Sequence, residues 1–96
     1  LDTHTFDKDA LIIENEQIHK VTLYTKEKKA YLSLHFHAPV VGLWSPPAKN
    51  APFVCIEPWY GRCDADDFDG TLEERAYENA VEPEQIFEAS YSIRYL

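Results

Sequence analysis

The stretch AYLSLHF, residues 30–36, alternates apolar and polar side chains. Ala30, Leu32, Leu34 and Phe36 fall on one face, and the remaining three side chains fall on the other. An alternation of period two is typical of a β-strand with one face buried and the other in water. We therefore predict a half-buried strand at this position.

Five further segments of the chain have the pattern of strands. Almost no part of the chain has the pattern of a helix. HKVTLYT (19–25) is joined to AYLSLHF by the charged link Lys26–Lys29, which is short enough for an antiparallel hairpin. The other predicted strands are ALII (10–13), PVVGLW (39–44), FVCIE (53–57) and IFEASYSIRYL (86–96). FVCIE is apolar on both faces, so we predict that it is central in its sheet. The set predicts an all-β fold, an antiparallel β-sandwich.

Two features interrupt this pattern. Gly42 inside PVVGLW predicts a β-bulge or a close approach of another group to the backbone. Residues 61–84 are acidic and poorly periodic, which predicts a long surface loop with one helical turn starting at Thr71, three residues before Glu74. Loops of such length inside compact domains tend to be functional.

Length and charge restrict the class of protein. A chain of 96 residues is one domain at most, and its 17 acidic against 9 basic residues argue against nucleic acid or an anionic membrane as partner. No apolar segment approaches the roughly 20 residues that span a bilayer, and the first residues lack a signal-peptide pattern. We therefore expect a cytoplasmic protein that binds a small neutral or polar molecule. Cys55 and Cys63 are expected to be reduced.

Glu57 ends the apolar run of PFVCIEPWYG (52–61). Acidic groups in half-buried positions are uncommon unless they are paired or have a function. Glu57 is therefore a candidate general base. The alternative is a structural role, in which Glu57 pairs with Arg62 or Arg94 or accepts backbone hydrogen bonds.

Three aromatic residues flank this acid in the sequence: Trp44, Trp59 and Tyr60. Aromatic faces suit the C–H bonds of a sugar ring, while the sugar hydroxyls seek carboxylates. The alternative is that both tryptophans belong to the core.

The sequence offers no convincing metal site. His35 and His37 are two apart on one predicted strand and share a face, but that spacing is weak evidence for a metal, and we expect cavity-lining or solvent-facing histidines. The acidic run Asp64–Asp69 lacks the ligand spacing of an EF-hand, so a solvated loop is expected.

The segment APFVCIEPWYGRCD, preceded by GLWSPP and followed by VEPEQIFEASYSIRYL, resembles the C-terminal part of the aldose 1-epimerase (galactose mutarotase) family, in particular a small bacterial branch of uncertain sugar specificity. FDKDALI and KVTLYT also resemble that branch, so the resemblance runs from about Phe6 to Tyr95. It implies that residues 1–96 are the C-terminal portion of a single β-sandwich domain, a supersandwich, whose N-terminal portion is missing from the chain.

The resemblance also implies an activity. Members of this family interconvert the α and β anomers of free aldoses: a glutamate removes the proton of the anomeric hydroxyl, a histidine protonates the ring oxygen, and no cofactor is needed. Glu57 matches the base. Trp44, Trp59 and Tyr60 would then shape the pocket for an aldohexose. The family's sugar-binding aspartate precedes the strand that corresponds to ALII, and Asp9 and Asp2 are the candidates for it.

The family's acid histidine, with an arginine and a second histidine that hold the sugar, lies upstream of the segments that match. No histidine of this chain sits in a matching motif: His4, His19, His35 and His37. We therefore expect the isolated chain to be weakly active or inactive, with the missing N-terminal segment of the same polypeptide as its partner. The alternatives are a non-catalytic carbohydrate-binding β-sandwich module and a purely structural half of a sandwich.

Overall fold

The computed structural model describes residues 1–96 and confirms the all-β fold. Its strands are β1 (Leu11–Ile13), β2 (Lys20–Tyr24), β3 (Ala30–Phe36), β4 (Val40–Trp44), β5 (Cys55–Trp59) and β6 (Tyr91–Tyr95). The single helical element is a 3₁₀ turn at Leu72–Glu74. No helix of the chain has the length and the apolar character needed to cross a membrane.

The strands form two antiparallel three-stranded sheets. The first sheet has the order β1-β4-β5, and the second has the order β2-β3-β6. β2 and β3 pair as the predicted hairpin, with Val21 opposite Leu34. The chain crosses from one sheet to the other between β1 and β2, between β3 and β4, and between β5 and β6, so neither sheet is continuous in sequence.

The core lies between the two sheets. Leu34 and Phe36 of β3 form a buried cluster with Ala38 and with Val41 of β4. Partly buried side chains from both sheets pack against this cluster: Ile13, Ile18, Val21, Leu43, Ile56 and Tyr60. We call the sheet faces that carry these side chains the inner faces, and the opposite faces the outer faces. Apolar inner faces that pack on each other are the basis of a β-sandwich.

The length of the neighbouring strand explains where β5 and β6 begin. β4 ends at Trp44, whose partner is Cys55, so Phe53 and Val54 have no ladder partner although the alternation includes them. β3 ends at Phe36, whose partner is Tyr91, so residues 86–90 of the predicted last strand remain outside the sheet.

β5 is an edge strand, and the prediction of a central position is wrong. Pro58 provides the physical reason, since a proline has no N–H to donate and is found in edge strands rather than in the middle of a sheet. Ile56 packs against the core on one face of β5, and Cys55 and Trp59 make the opposite face apolar as well.

The fold is elongated and its core is small. The radius of gyration is 16.2 Å, compared with about 13 Å for a compact domain of this size. Eight residues of 96 are buried. β6 is exposed along its whole length, and Tyr91, Ile93 and Tyr95 are 64%, 51% and 81% exposed.

Side-chain contacts hold the long acidic loop, residues 61–90, against the end of β1. The Arg62 guanidinium forms an ion pair with the Glu14 carboxylate. The hydroxyl of Tyr77 donates a hydrogen bond to Asn15 Oδ1 at 3.1 Å and accepts one from the Asn15 backbone N–H at 3.3 Å. The loop is therefore tied to the first sheet at two positions.

The predicted helical turn in this loop is confirmed, and it begins after Thr71. The Thr71 hydroxyl donates a hydrogen bond to the Glu74 carboxylate at 3.1 Å. This contact joins two side chains, so it differs from a capping box, in which each side chain binds a backbone N–H.

Candidate functional site

Glu57 lies on the outer face of the first sheet. Ile56 packs against the core, so the alternation of β5 directs Cys55, Glu57 and Trp59 to the opposite side. All four residues are half-buried. Strand geometry therefore holds a carboxylate next to an indole on a partly shielded surface.

Trp59 binds Glu57 directly. The indole Nε1–H donates a hydrogen bond to Oε2 of Glu57 over 3.1 Å. The contact is possible because residues two apart in a strand project from the same face. Neither Arg62 nor Arg94 pairs with Glu57, because Arg62 binds Glu14 and Arg94 lies in β6 of the second sheet.

Gly42 allows the indole to lie across the neighbouring strand. Gly42 is opposite Glu57 in the register of β4 and β5, and a Cβ atom added to it would lie 2.6 Å from Cζ2 of Trp59. Real side chains do not approach so closely. The predicted close approach at Gly42 is thus confirmed, and the approaching group is the ring that binds the candidate base.

Trp44 lies on the same outer face. It is the register partner of Cys55, next to the pair formed by Gly42 and Glu57. Its ring packs against Phe53, with ring centroids 6.4 Å apart and planes tilted by 55°. Two indole rings therefore lie on the face that carries Glu57.

Tyr60 and Asp9 lie apart from this group. Tyr60 packs against the core cluster and makes an edge-to-face contact with Phe87, with ring centroids 5.8 Å apart. Asp9 is exposed, has a backbone φ of 85°, and accepts a hydrogen bond from the backbone N–H of Ala10 at 2.7 Å. The structure thus brings together three of the five predicted site residues.

The outer face around Glu57 is open. None of the five cavities in the structure is lined by Glu57, Trp44 or Trp59. The largest cavity, of about 650 Å³, is lined by residues that include His37, Tyr60 and Phe87. The Glu57 carboxylate therefore lies on an open surface rather than in an enclosed pocket.

The histidines form a second polar site. His35 and His37 line one cavity, as their spacing predicts, and His19 joins them there. The rings of His19 and His37 have centroids 5.5 Å apart. No group of three histidine, cysteine or acidic residues is arranged as a metal-ligand set.

The acidic loop has its own cation. Arg75 Nε donates a hydrogen bond to Asp64 Oδ1 at 2.6 Å, and this bond raises the pKa of the Arg75 guanidinium. Arg75 also lies 3.7 Å from the Glu78 carboxylate. Part of the acidic run is thus neutralised within the loop.

Both cysteines, Cys55 and Cys63, are free thiols, as expected.

Four residues that line the largest cavity are not among the predicted site residues: Phe87, Glu88, Ala89 and Ser90. The alternation of IFEASYSIRYL assigns them to a strand and gives them no functional role. Only the pairing of β6 with β3 brings them next to His37. The sequence alone therefore contains no local pattern that predicts this site, because its position depends on which strands pair.

Fold and site together define an all-β, sandwich-like protein with a tryptophan-bound carboxylate on an open sheet face. No protein-family model, no curated protein and no solved structure matches the chain.

Proposed function

We propose that this chain supplies the general base of an aldose 1-epimerase-like isomerase, which interconverts the α and β anomers of a free aldohexose. The observation that carries the proposal is the contact between Glu57 and Trp59, with Oε2 of the carboxylate bound by the indole N–H. One carboxylate oxygen is thereby oriented, and the other accepts no hydrogen bond from the protein.

In this proposal Oε1 of Glu57 takes the proton of the anomeric hydroxyl. An acid protonates the ring oxygen as the C1–O5 bond breaks, so the open-chain aldehyde is formed with no net change in charge. Rotation about the C1–C2 bond and the reverse proton transfers close the ring on the other face of the carbonyl. The two proton transfers require a base and an acid, and no electrons are exchanged.

The aromatic residues support a sugar as the substrate. The indole of Trp59 covers Gly42, and Trp44 lies on the same face. Apolar ring surfaces next to a carboxylate fit the C–H face and the hydroxyls of a pyranose. Neither residue offers a positive charge, which is consistent with an uncharged substrate.

The proposed activity also depends on an acid partner for Glu57. His4 binds Asp7 in the N-terminal turns, and the other three histidines line a cavity that Glu57 does not line. General acid catalysis and general base catalysis each typically raise the reaction rate by about 10²–10⁴-fold. We therefore propose that the 96 residues alone are weakly active, and that full activity requires an acid from outside them.

The open face without an acid favours a second candidate, a carbohydrate-binding module that catalyses nothing. The two candidates differ in the response to Glu57→Gln, because an amide still hydrogen-bonds a hydroxyl but does not accept its proton. The test is a titration with glucose and galactose, followed by Trp fluorescence, together with polarimetry of the fresh α-anomers.

For the enzyme, Glu57→Gln retains most of the sugar binding and abolishes the acceleration of anomeric exchange. For the module, neither protein accelerates the exchange although both bind sugar. Glu73→Gln, in the exposed 3₁₀ turn, is the matched control and should behave as the unmodified chain. Absence of sugar binding in all three proteins would contradict both candidates.

A further inference from the structure

The second sheet differs from the rest of the molecule in charge. The chain carries a net charge of -8, yet the strands of this sheet, KVTLY, AYLSLHF and YSIRY, contain no Asp or Glu. On its outer face, Lys20 and Ser92 flank His35 on the two neighbouring strands, and Arg94 is opposite Ser33. A strongly acidic chain therefore keeps one sheet face basic and rich in hydroxyl groups.

A cavity of about 290 Å³ opens at one end of this face. Its polar side chains are three histidines and two serines: His19, His35, His37, Ser90 and Ser92. The His35 Nε2 atom is hydrogen-bonded to Ser33 Oγ at 3.1 Å, and Ser33 itself is buried. The His35 ring is thus oriented by a side chain two residues away on the same face of β3.

The polar groups of this cavity are suited to donate hydrogen bonds. Imidazole N–H and serine O–H groups both donate, and no carboxylate lines the cavity. The three imidazoles are not arranged as a metal-ligand set. Converging donors next to Lys20 and Arg94 fit an oxyanion such as phosphate, since hydrogen bonds to a charged acceptor are the strong ones.

The larger cavity, of about 650 Å³, adjoins this one and shares His37 and Ser90 with it. Its walls include the edge-to-face pair of Tyr60 and Phe87, together with Glu88. An aromatic wall accommodates a flat or ring-shaped organic group, and the Glu88 carboxylate disfavours a second anionic group there. The two cavities therefore differ in what they accept.

We propose that the joined cavities, which meet at His37 and Ser90, bind a phosphomonoester, with its phosphate among the histidines and serines and its organic ring against Tyr60 and Phe87. Neither cavity is lined by Glu57, Trp44 or Trp59, so this site is separate from the candidate base and does not rest on the proposed isomerase activity. It is a binding site, and no bond of the ligand is broken there.

Inorganic phosphate and phenyl phosphate are the probes, and the amide resonances of Ser90 and Ser92 in ¹H–¹⁵N NMR spectra of the full chain are the readout. We expect both probes to shift these resonances in a saturable way, with phenyl phosphate binding more tightly. His35→Ala and His37→Ala, which remove the imidazole donors, should each weaken the binding of inorganic phosphate by about tenfold to a hundredfold, which corresponds to the loss of a charge-assisted hydrogen bond.

His4→Ala is the matched control, because His4 is exposed, binds Asp7 and does not line the cavity, and it should leave phosphate binding unchanged. Phe87→Ala should remove the advantage of phenyl phosphate and leave inorganic phosphate binding as it was. Far-ultraviolet circular dichroism identifies any variant that fails to fold, and Ser90→Ala then replaces it as a second test of the phosphate subsite.

Three results would overturn the proposal. The first is the absence of saturable shifts with either probe, and the second is an equal loss of binding in His4→Ala and His37→Ala. The third is saturable binding of Zn²⁺ at the histidines in the absence of any phosphate binding, which would make the cluster a metal site instead.

Discussion

The indole N–H of Trp59 is hydrogen-bonded to the carboxylate of Glu57, two residues earlier on the same face of β5, over 3.1 Å. This contact orients the candidate base and covers Gly42 on the neighbouring strand.

The hydrogen bond predicts a difference between the two indoles of the chain. The Nε1–H of Trp59 should exchange with solvent about 2- to 10-fold more slowly than that of Trp44, the range expected from the net value of a hydrogen bond. Glu57→Ala should remove the difference, and Trp44 is the internal control. Hydrogen exchange with NMR detection measures both rates. Equal exchange rates of the two indoles in the unmodified chain would contradict the contact.

Gly42→Ala places a methyl group where the Trp59 ring lies, at 2.6 Å from Cζ2. We expect it to lower the free energy of unfolding by about 1–3 kcal/mol, since the ring has to move out of its packed position. Gly61→Ala is the matched control, because nothing lies within 4 Å of the added methyl group, and it should change stability by less than about 0.5 kcal/mol. Urea unfolding provides the measurement, and an equal effect of both substitutions would show that the close packing is absent.

Tyr77→Phe removes the hydroxyl that ties the acidic loop to Asn15. The Asn15 amide loses its acceptor, so its exchange with solvent should become about 2- to 10-fold faster. Tyr24→Phe alters a tyrosine that is 61% exposed and should leave the Asn15 amide as it is. If the two variants protect Asn15 equally, the loop is not held by Tyr77.

The N-terminal turns predict a dependence on pH. The hydrogen bond between His4 Nδ1 and Asp7 Oδ2, at 2.8 Å, raises the pKa of His4 above its ordinary value of 6.5. A raised pKa in the folded state means that the ion pair contributes its stability fully below about pH 6.5 and loses it as the pH rises through the folded-state value.

An NMR titration of the His4 ring measures this directly. The midpoint should lie above that of the same residue in an unfolded peptide, and Asp7→Asn should lower it toward 6.5. A midpoint that does not respond to Asp7→Asn would contradict the pairing.

Local patterns predict the strands better than their arrangement. The alternation of Ala30–Phe36 matches β3 at both ends, and Gly42 correctly indicates a close approach. The limits of β5 and β6 could not be predicted, because each begins where its partner strand ends, at Trp44 and at Phe36. The ends of a paired strand depend on a neighbour that is distant in sequence.

The same limit applies to the candidate site, of which only the part within one strand could be predicted. Glu57 and Trp59 are two apart in one strand, so their common face follows from the local period. Tyr60 is adjacent in sequence but belongs to the other face, and it meets Phe87 through the pairing of β6 with β3. The joined cavities around His37 depend on contacts between the two sheets, which a single sequence does not reveal.

Chemical rescue of anomeric exchange is the measurement that tests the proposed function most directly. Imidazole buffer supplies a general acid in solution, so it should accelerate the mutarotation of α-glucose or α-galactose further when the chain is present. The proposal predicts that this additional rate saturates with sugar, is retained by Glu73→Gln, and falls by about 10²-fold or more in Glu57→Gln. A rate that equals that of imidazole alone, or one that Glu57→Gln leaves unchanged, would contradict the assignment of Glu57 as the base.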